Sequence, residues 1–314
     1  MTNLTTELHT ELQTELSTQS DIVLANELRQ HLSNIFTDFA HDVDLSFYDT
    51  MGDSVRLQHD MHIMDANQAS YSLYLPMHRY MHLAVANVMD NPQVALTADE
   101  YCHSSMLRQT SAADTVSSHT TGLFTARQPM EVLSGVDQTF NVHLYMANCA
   151  ATLVVDPRGH AAPDEIEVYT TGFATAFNLN DSTYVYPQTS PIVRTAPIIA
   201  GGSDYAGFCS VTFPSREAGA SASRPQTRTV IETTEPFISE PGTQALWQFR
   251  VYVRRADGTI TETILGMRQP LRAGQLKIVK CGLRNDGAVA TDDQTVGVSV
   301  TLDWKEGNHH EVPL

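Results

Sequence analysis

From residue 42 onward, apolar side chains recur at every second position in short runs, and clusters of turn residues separate the runs. Alternation of that kind sets one face of each run on a core and the other on solvent, so the chain must fold mainly as β-strands. Val43, Leu45 and Phe47 alternate with Asp44, Ser46 and Tyr48, Thr50-Met51-Gly52-Asp53 makes a turn, and Val55 and Leu57 resume the pattern. That reads as a β-hairpin. Tyr71, Leu73 and Leu75 form a further run up to Pro76, and Tyr80 to Ala86 another. Residues 90–121, rich in Ser, Thr, Ala and Asp, read as a long loop carrying a short helix, before strand composition returns at 122–126 and at 139–155, the latter divided near Asn148.

Turn residues then concentrate at Asp156-Pro157-Arg158-Gly159 and Ala162-Pro163-Asp164. Candidate strands follow at 165–169, 182–186, 207–213, 228–232, 245–254, 259–265, 275–279 and 296–304. Asp257-Gly258, between two apolar runs, predicts a tight hairpin with a type I′ turn. Ala218 to Thr227 reads as a loop. Many short strands divided by turns predict antiparallel β-sandwiches. At about 150 residues per domain, 314 residues suggest two of them. The expected boundary lies near residue 138, giving sandwiches over 41–138 and 139–314 behind a helical segment at 1–40.

In that first segment the period is helical instead. Leu4, Leu8, Leu12 and Leu16, then Leu24, Leu28, Leu32, Ile35 and Phe36, repeat every three or four residues, and Ser20 and Asp21 offer an N-cap for the second series. The expectation is an amphipathic helix laid on the domain behind it. The other reading is a helix that binds a partner.

Charge and motifs exclude several functions. Lys and Arg number 19 against 36 Asp and Glu, and a net charge of −17 repels phosphate backbones, so nucleic acid is excluded as a partner. Cys102, Cys149, Cys209 and Cys281 are too far apart for a zinc or CxxC site and read as buried thiols, with one or two disulfides the other reading. There is no run of 18 apolar residues and no export signal at the start; an exported protein whose signal had been removed would read the same. No GxSxG, P-loop, GxGxxG, HExxH or EF-hand pattern occurs. His59 with His62 and His78 with His82 fall in strand-like stretches, where steps of three and four bring no ligand pair together, and His309-His310 reads as solvated. Asp292-Asp293 and Asp164-Glu165 occupy turn-like sites, where a carboxylate accepts local backbone hydrogen bonds. Neither a metal, nor a cofactor, nor enzymatic activity is expected.

One element carries a mechanism. Val296, Val298, Val300, Leu302 and Trp304 fall on one side of the last strand, with Gly297, Ser299, Thr301 and Asp303 on the other. Such a strand either closes its own sandwich or adds to the sheet of a neighbouring subunit, where backbone hydrogen bonds give affinity and alternate side chains fill pockets. Five apolar side chains at roughly 1.5 to 3 kcal/mol each would drive that addition before ordering costs.

Taken in order, Val43-Asp44-Leu45-Ser46-Phe47-Tyr48-Asp49 with Met51-Gly52-Asp53, Tyr80-Met81-His82-Leu83-Ala84-Val85-Ala86-Asn87, Gly122-Leu123-Phe124 and Val298-Ser299-Val300-Thr301-Leu302-Asp303-Trp304 resemble the fimbrillin-type proteins of Bacteroidales pili, in particular their FimB-like fimbrial anchor and minor subunits. The resemblance covers most of residues 42–304 and consists of β-patterns in the right order. It implies an exported lipoprotein with two transthyretin-like antiparallel β-sandwich domains at the cell surface. Its partners would be other fimbrial subunits, joined by donor-strand exchange, and the outer membrane, reached through a lipid anchor not visible in this chain. Two departures stand out. The first cysteine is Cys102, whereas such subunits begin with a lipid-bearing cysteine when mature. Arg29 and Arg56 fall inside predicted elements, so neither marks the arginine cleavage that polymerising relatives undergo. The alternative function is a carbohydrate- or ligand-binding β-sandwich, with Tyr169, Tyr184 and Tyr186 as candidate exposed aromatics.

Overall fold

A computed structural model describes residues 22–33, 35–36, 40–51, 54–63, 70, 72–187, 190–199, 204–217, 245–300 and 304–305. Leu4 to Leu16, the Ser20-Asp21 cap, part of the Thr50–Asp53 turn, the loop at 218–227, the run at 228–232, Leu302 and His309-His310 lie outside the described residues.

The structure is mainly β, with strands gathered in four sheets. Sheet I opens with β1 (Asp42–Asp49), β2 (Arg56–Ile63) and β3 (His78–Ala86). Three short strands follow where the sequence reads as loop: β4 (Val94–Thr97) and β5 (Met106–Gln109) begin sheet II, and β6 (Thr115–Ser117) lies at the edge of sheet IV. Next, β7 (Phe124–Val132) and β8 (Tyr145–Met146) complete sheet I in the order β2-β1-β3-β7-β8. Sheet III begins with β9 (Cys149–Asp156) and sheet IV continues with β10 (Ile166–Thr171), while β11 (Ala176–Asn178) and β12 (Thr183–Val185) finish sheet II as β12-β11-β5-β4. The remainder are β13 (Ile192–Arg194), β14 (Ala196–Ile199), β15 (Ala206–Thr212), β16 (Trp247–Arg254), β17 (Thr259–Met267), β18 (Leu276–Leu283), β19 (Val289–Ala290), β20 (Val296–Val300) and β21 (Trp304–Lys305). Sheet III has the order β14-β15-β9-β18-β19, and sheet IV the order β20-β17-β16-β10-β13-β6 with β21 beside β17. Pairing is antiparallel except for β9 with β18 and β6 with β13. Strands from both sides of residue 138 share sheets I, II and IV.

Three cores lie between these sheets. The first joins sheet I to sheet III, the second joins sheet III to sheet IV, and the third joins sheet I to sheet II. Sheet III is therefore buried on both faces. Along β9, Cys149, Ala151, Leu153 and Val155 enter the second core while Ala150 and Val154 enter the first. This is why β9 reads as a nearly continuous apolar run rather than an alternating one.

The helix α1 (Ile22–Ser33) lies against β14 and β15 and fills the first core. Leu24, Leu28 and Leu32, one turn apart, are fully buried, and Leu24 reaches the gap left by Gly207. The helix is thus laid on the sheets behind it, as its period predicts. Backbone bonds from Ile35 and Phe36 to Leu32 O end it and turn both side chains inward.

Two local readings are corrected. Residues 72–76 form no strand, and the next one begins only at His78, beyond Pro76. The Asp257-Gly258 hairpin is not type I′: only Gly258 has a positive φ, 77°, Gly258 N donates to Arg255 O, and Arg255 N donates to Thr259 O. That is a type I turn closed by a glycine bulge, which leaves Asp257 in an ordinary conformation and its carboxylate free to accept from Thr259 N. Among the described residues, no helix is long and apolar enough to cross a membrane.

Two buried histidines make acid sensitivity part of this packing. His82 is 1% exposed, stacked on Phe47 at 4.4 Å, and burial holds its pKa down to about 4. His119, buried against Phe213, is held down to about 3 for the same reason. The unfolded chain protonates first, near pH 6.5, so both contributions are intact above that pH and are lost as pH falls toward 4 and then 3. For His82 the loss amounts to about 3 kcal/mol. Urea unfolding measured from pH 8 to 4 should show this decline, and His82→Phe should make it about half as steep, the His119 contribution remaining. A close approach yields a second expectation: a Cβ on Gly122 would stand 2.1 Å from Ile35 O, so Gly122→Ala should lower the unfolding free energy by about 2 kcal/mol or more.

Candidate functional site

The C-terminal strand is set in place by a turn that its own residues build. Asp293 Oδ1 accepts from Thr295 N at 2.8 Å and from Thr295 Oγ1 at 2.6 Å, while Lys277 Nζ approaches Oδ2 at 3.1 Å. Burial pushes the Asp293 carboxyl up, but the Thr295 bonds and the Lys277 ammonium outweigh it and hold the pKa below its usual value. Val296 N then donates to Asp293 O, and Arg268 N to Thr295 O, which starts the ladder.

From there β20 runs antiparallel to β17 as the edge strand of sheet IV. Val296 stands opposite Met267 and is buried in the second core. Val298 stands opposite Leu265 and is 37% exposed, although Leu265 itself is fully buried. Gly297 faces Gly266, over which Ala245 Cβ packs at 3.0 Å from where a glycine side chain would begin, and Val300 stands opposite Thr263. In β21, Trp304 pairs with Ile260 and Lys305 with Thr259. The pairs Val300 with Thr263 and Trp304 with Ile260 differ in register by one residue. A one-residue difference changes the parity of pairing, so the register does not carry a single alternating series from Val296 through to Trp304.

The aromatic candidates for ligand binding are not exposed, which corrects the sequence reading. Tyr169 is 4% exposed, packs edge-on against Tyr252 and donates to Glu167 Oε2 at 2.7 Å. Burial and then the Glu167 carboxylate raise its pKa to about 12. Tyr184 and Tyr186 pack against the third core and donate to Ala147 O and Ser215 O, each at 2.8 Å, and burial raises both pKa values. Tyr184 in β12 and Tyr186 just beyond it turn their rings toward the core between sheets I and II, a packing that no local alternation reveals.

The remaining titratable candidates have local partners. His59 Nε2 lies 2.7 Å from Asp44, His78 Nε2 lies 2.8 Å from Asp49, and Glu165 accepts from Ala162 N at 2.7 Å. Among the described residues, no three His, Cys, Asp or Glu side chains stand together as metal ligands. All four cysteines are free and buried, and burial raises Cys209 to about 11 and Cys281 to about 12, so these thiols stay protonated near neutrality.

No protein-family model matches the chain, and no protein of curated function matches it. Solved structures do. A candidate polysaccharide-binding protein from Bacteroides thetaiotaomicron aligns over 83% of this chain and 90% of its own, with a TM-score of 0.51 and 8% identity. That likeness shows a shared fold. A candidate adhesin from Bacteroides ovatus aligns over 85% and 90% of the two chains, with a TM-score of 0.49 and 11% identity. The fimbrial anchor protein Mfa2 from Porphyromonas gingivalis aligns over 84% and 88%, with a TM-score of 0.46 and 11% identity. The structural neighbours of this chain thus include a fimbrial anchor protein and an adhesin.

The launching turn can be tested alone. Asp293→Ala removes three acceptor contacts, and should cost about 1 to 2 kcal/mol in urea unfolding and speed amide exchange in β20 but not in β10.

Proposed function

We propose that this protein is a cell-surface fimbrial anchor or minor subunit, related to adhesion, that joins other fimbrial subunits by β-strand addition through Val296, Val298, Val300, Leu302 and Trp304. The observation that carries the reading is the place of β20: among the described residues it is an edge strand, bonded on one side to β17, with Val298 exposed on the face that Val296 buries. An edge strand can leave, or accept a further strand, without breaking a pairing in the middle of a sheet. The descriptions of the structural neighbours as adhesin and fimbrial anchor support the same reading. In this proposal the protein is exported, sits at the outer membrane through a lipid anchor, and works through backbone ladders rather than through catalysis. The alternative, a ligand-binding sandwich, takes support from the neighbour described as a candidate polysaccharide binder, but of its three tyrosines Tyr169 is buried and Tyr184 and Tyr186 are half-buried with their hydroxyls bonded to backbone.

A charge on an exposed edge costs the free protein little, whereas a charge buried in a neighbour's sheet costs several kcal/mol. Val298→Asp should therefore leave the unfolding midpoint within about 0.5 kcal/mol of wild type and weaken co-assembly with fimbrial subunits at least about tenfold. Deleting residues 295–314 should abolish co-assembly. Undiminished co-assembly by a folded Val298→Asp protein would sink the proposal.

A further inference from the structure

Strand β7 is paired with β3 along all nine of its residues, yet on its other side, among the described residues, it holds only β8, with Tyr145 opposite Thr125 and Met146 opposite Phe124. On that outer side Leu123 O accepts from Ala147 N, Glu131 O accepts from Gln138 Nε2, and Leu133 N donates to Gln138 Oε1. Odd-numbered residues of this stretch therefore aim their backbone groups outward, as alternation along an antiparallel strand requires. Between the two pinned ends, no backbone hydrogen bond is made to Arg127 N–H and C=O, Pro129 C=O or Glu131 N–H from the outer side, among the described residues.

Residues 138–144 return alongside this edge without joining it. Phe140, Val142 and Leu144 are half-buried against the first core, while Asn141, His143 and Tyr145 are exposed. Continuing the β8 register sets Leu144 opposite Ala126, Val142 opposite Gln128 and Phe140 opposite Met130, and Ala126 and Met130 belong to that same core. The alternation and the register of a strand are present, but the ladder is not. Pro129 supplies a reason: in that register Asn141 C=O would need a donor from residue 129, and proline has none.

We propose that residues 138–144 are a strap, a latent continuation of β8 held off the ladder by Pro129, and that the edge from Arg127 to Glu131 is an acceptor for an extended peptide with apolar side chains at alternate positions. The core-facing sites over Ala126, Gln128 and Met130 already admit Phe140, Val142 and Leu144, which defines the side chains an incoming strand must carry. At the tip, Leu133 and Val136 are exposed. The inference rests on the strand-addition reading and gives that reading an acceptor.

Amide exchange on the full chain, together with a fluorescent peptide of the sequence of residues 138–146 as probe, tests it. In the wild type, Arg127, Glu131 and residues 139–143 should exchange at least about a hundredfold faster than the β3 amides, and the probe should bind saturably. Gln138→Ala removes the far pin of the strap and should tighten probe binding about tenfold, whereas Pro129→Val supplies the missing donor and should slow exchange at 139–143 and weaken the probe. Slow exchange in the wild type, equal binding of a scrambled probe, or one affinity across the three proteins would overturn the proposal. None of these readouts uses residues 295–314, so a failure here is distinct from a failure of the C-terminal strand.

Discussion

The burial of sheet III on both faces organises the molecule. A one-residue slip of a strand with one wet face turns its apolar side chains to solvent, whereas β9, β15 and β18 place successive side chains into two different cores. Phe208 and Val279 face sheet IV, while Cys209 and Ile278, their neighbours in sequence, face sheet I and α1. A shift of one residue in any of these strands would exchange the contents of both cores at once. The register of the middle sheet therefore fixes where the outer sheets can lie, and the edges discussed above are what remains exposed after that packing is satisfied.

What the sequence revealed followed the range of the interaction involved. Hairpins written in neighbouring residues, such as β1 with β2 and β16 with β17, were legible because one alternating pattern and one turn determine them. The leucine period of α1 was legible for the same reason. Sheet II was not, because β5 and β11 are too short to show a period and find each other only across some seventy residues. The type of the Asp257-Gly258 turn escaped because the dipeptide allows two loop lengths, and the bonds of Arg255 choose between them.

The candidate site shows the same division. That a terminal strand with Val296 and Val298 exists could be read directly; that it lies at a sheet edge, and that its pairing with β17 changes register before Trp304, depends on partners elsewhere in the chain. The tyrosines misled because composition cannot tell a ring facing solvent from one facing a second sheet. Conversely, Pro129 lies beyond the run read at 122–126, in a stretch that the sequence did not mark as strand. Only beside Gln138 and the half-buried side chains at 140–144 does its missing N–H acquire a meaning.

The parallel pairing of β9 with β18 sets Ala150 against Leu276, residues 126 positions apart. A contact so distant in sequence forms late, after the entropy of closing a long loop has been overcome. Until β18 arrives, near the end of the polypeptide, β9 can pair with β15 but its other flank has no neighbour. Newly made chains must therefore pass through an aggregation-prone interval in which this apolar flank lies uncovered.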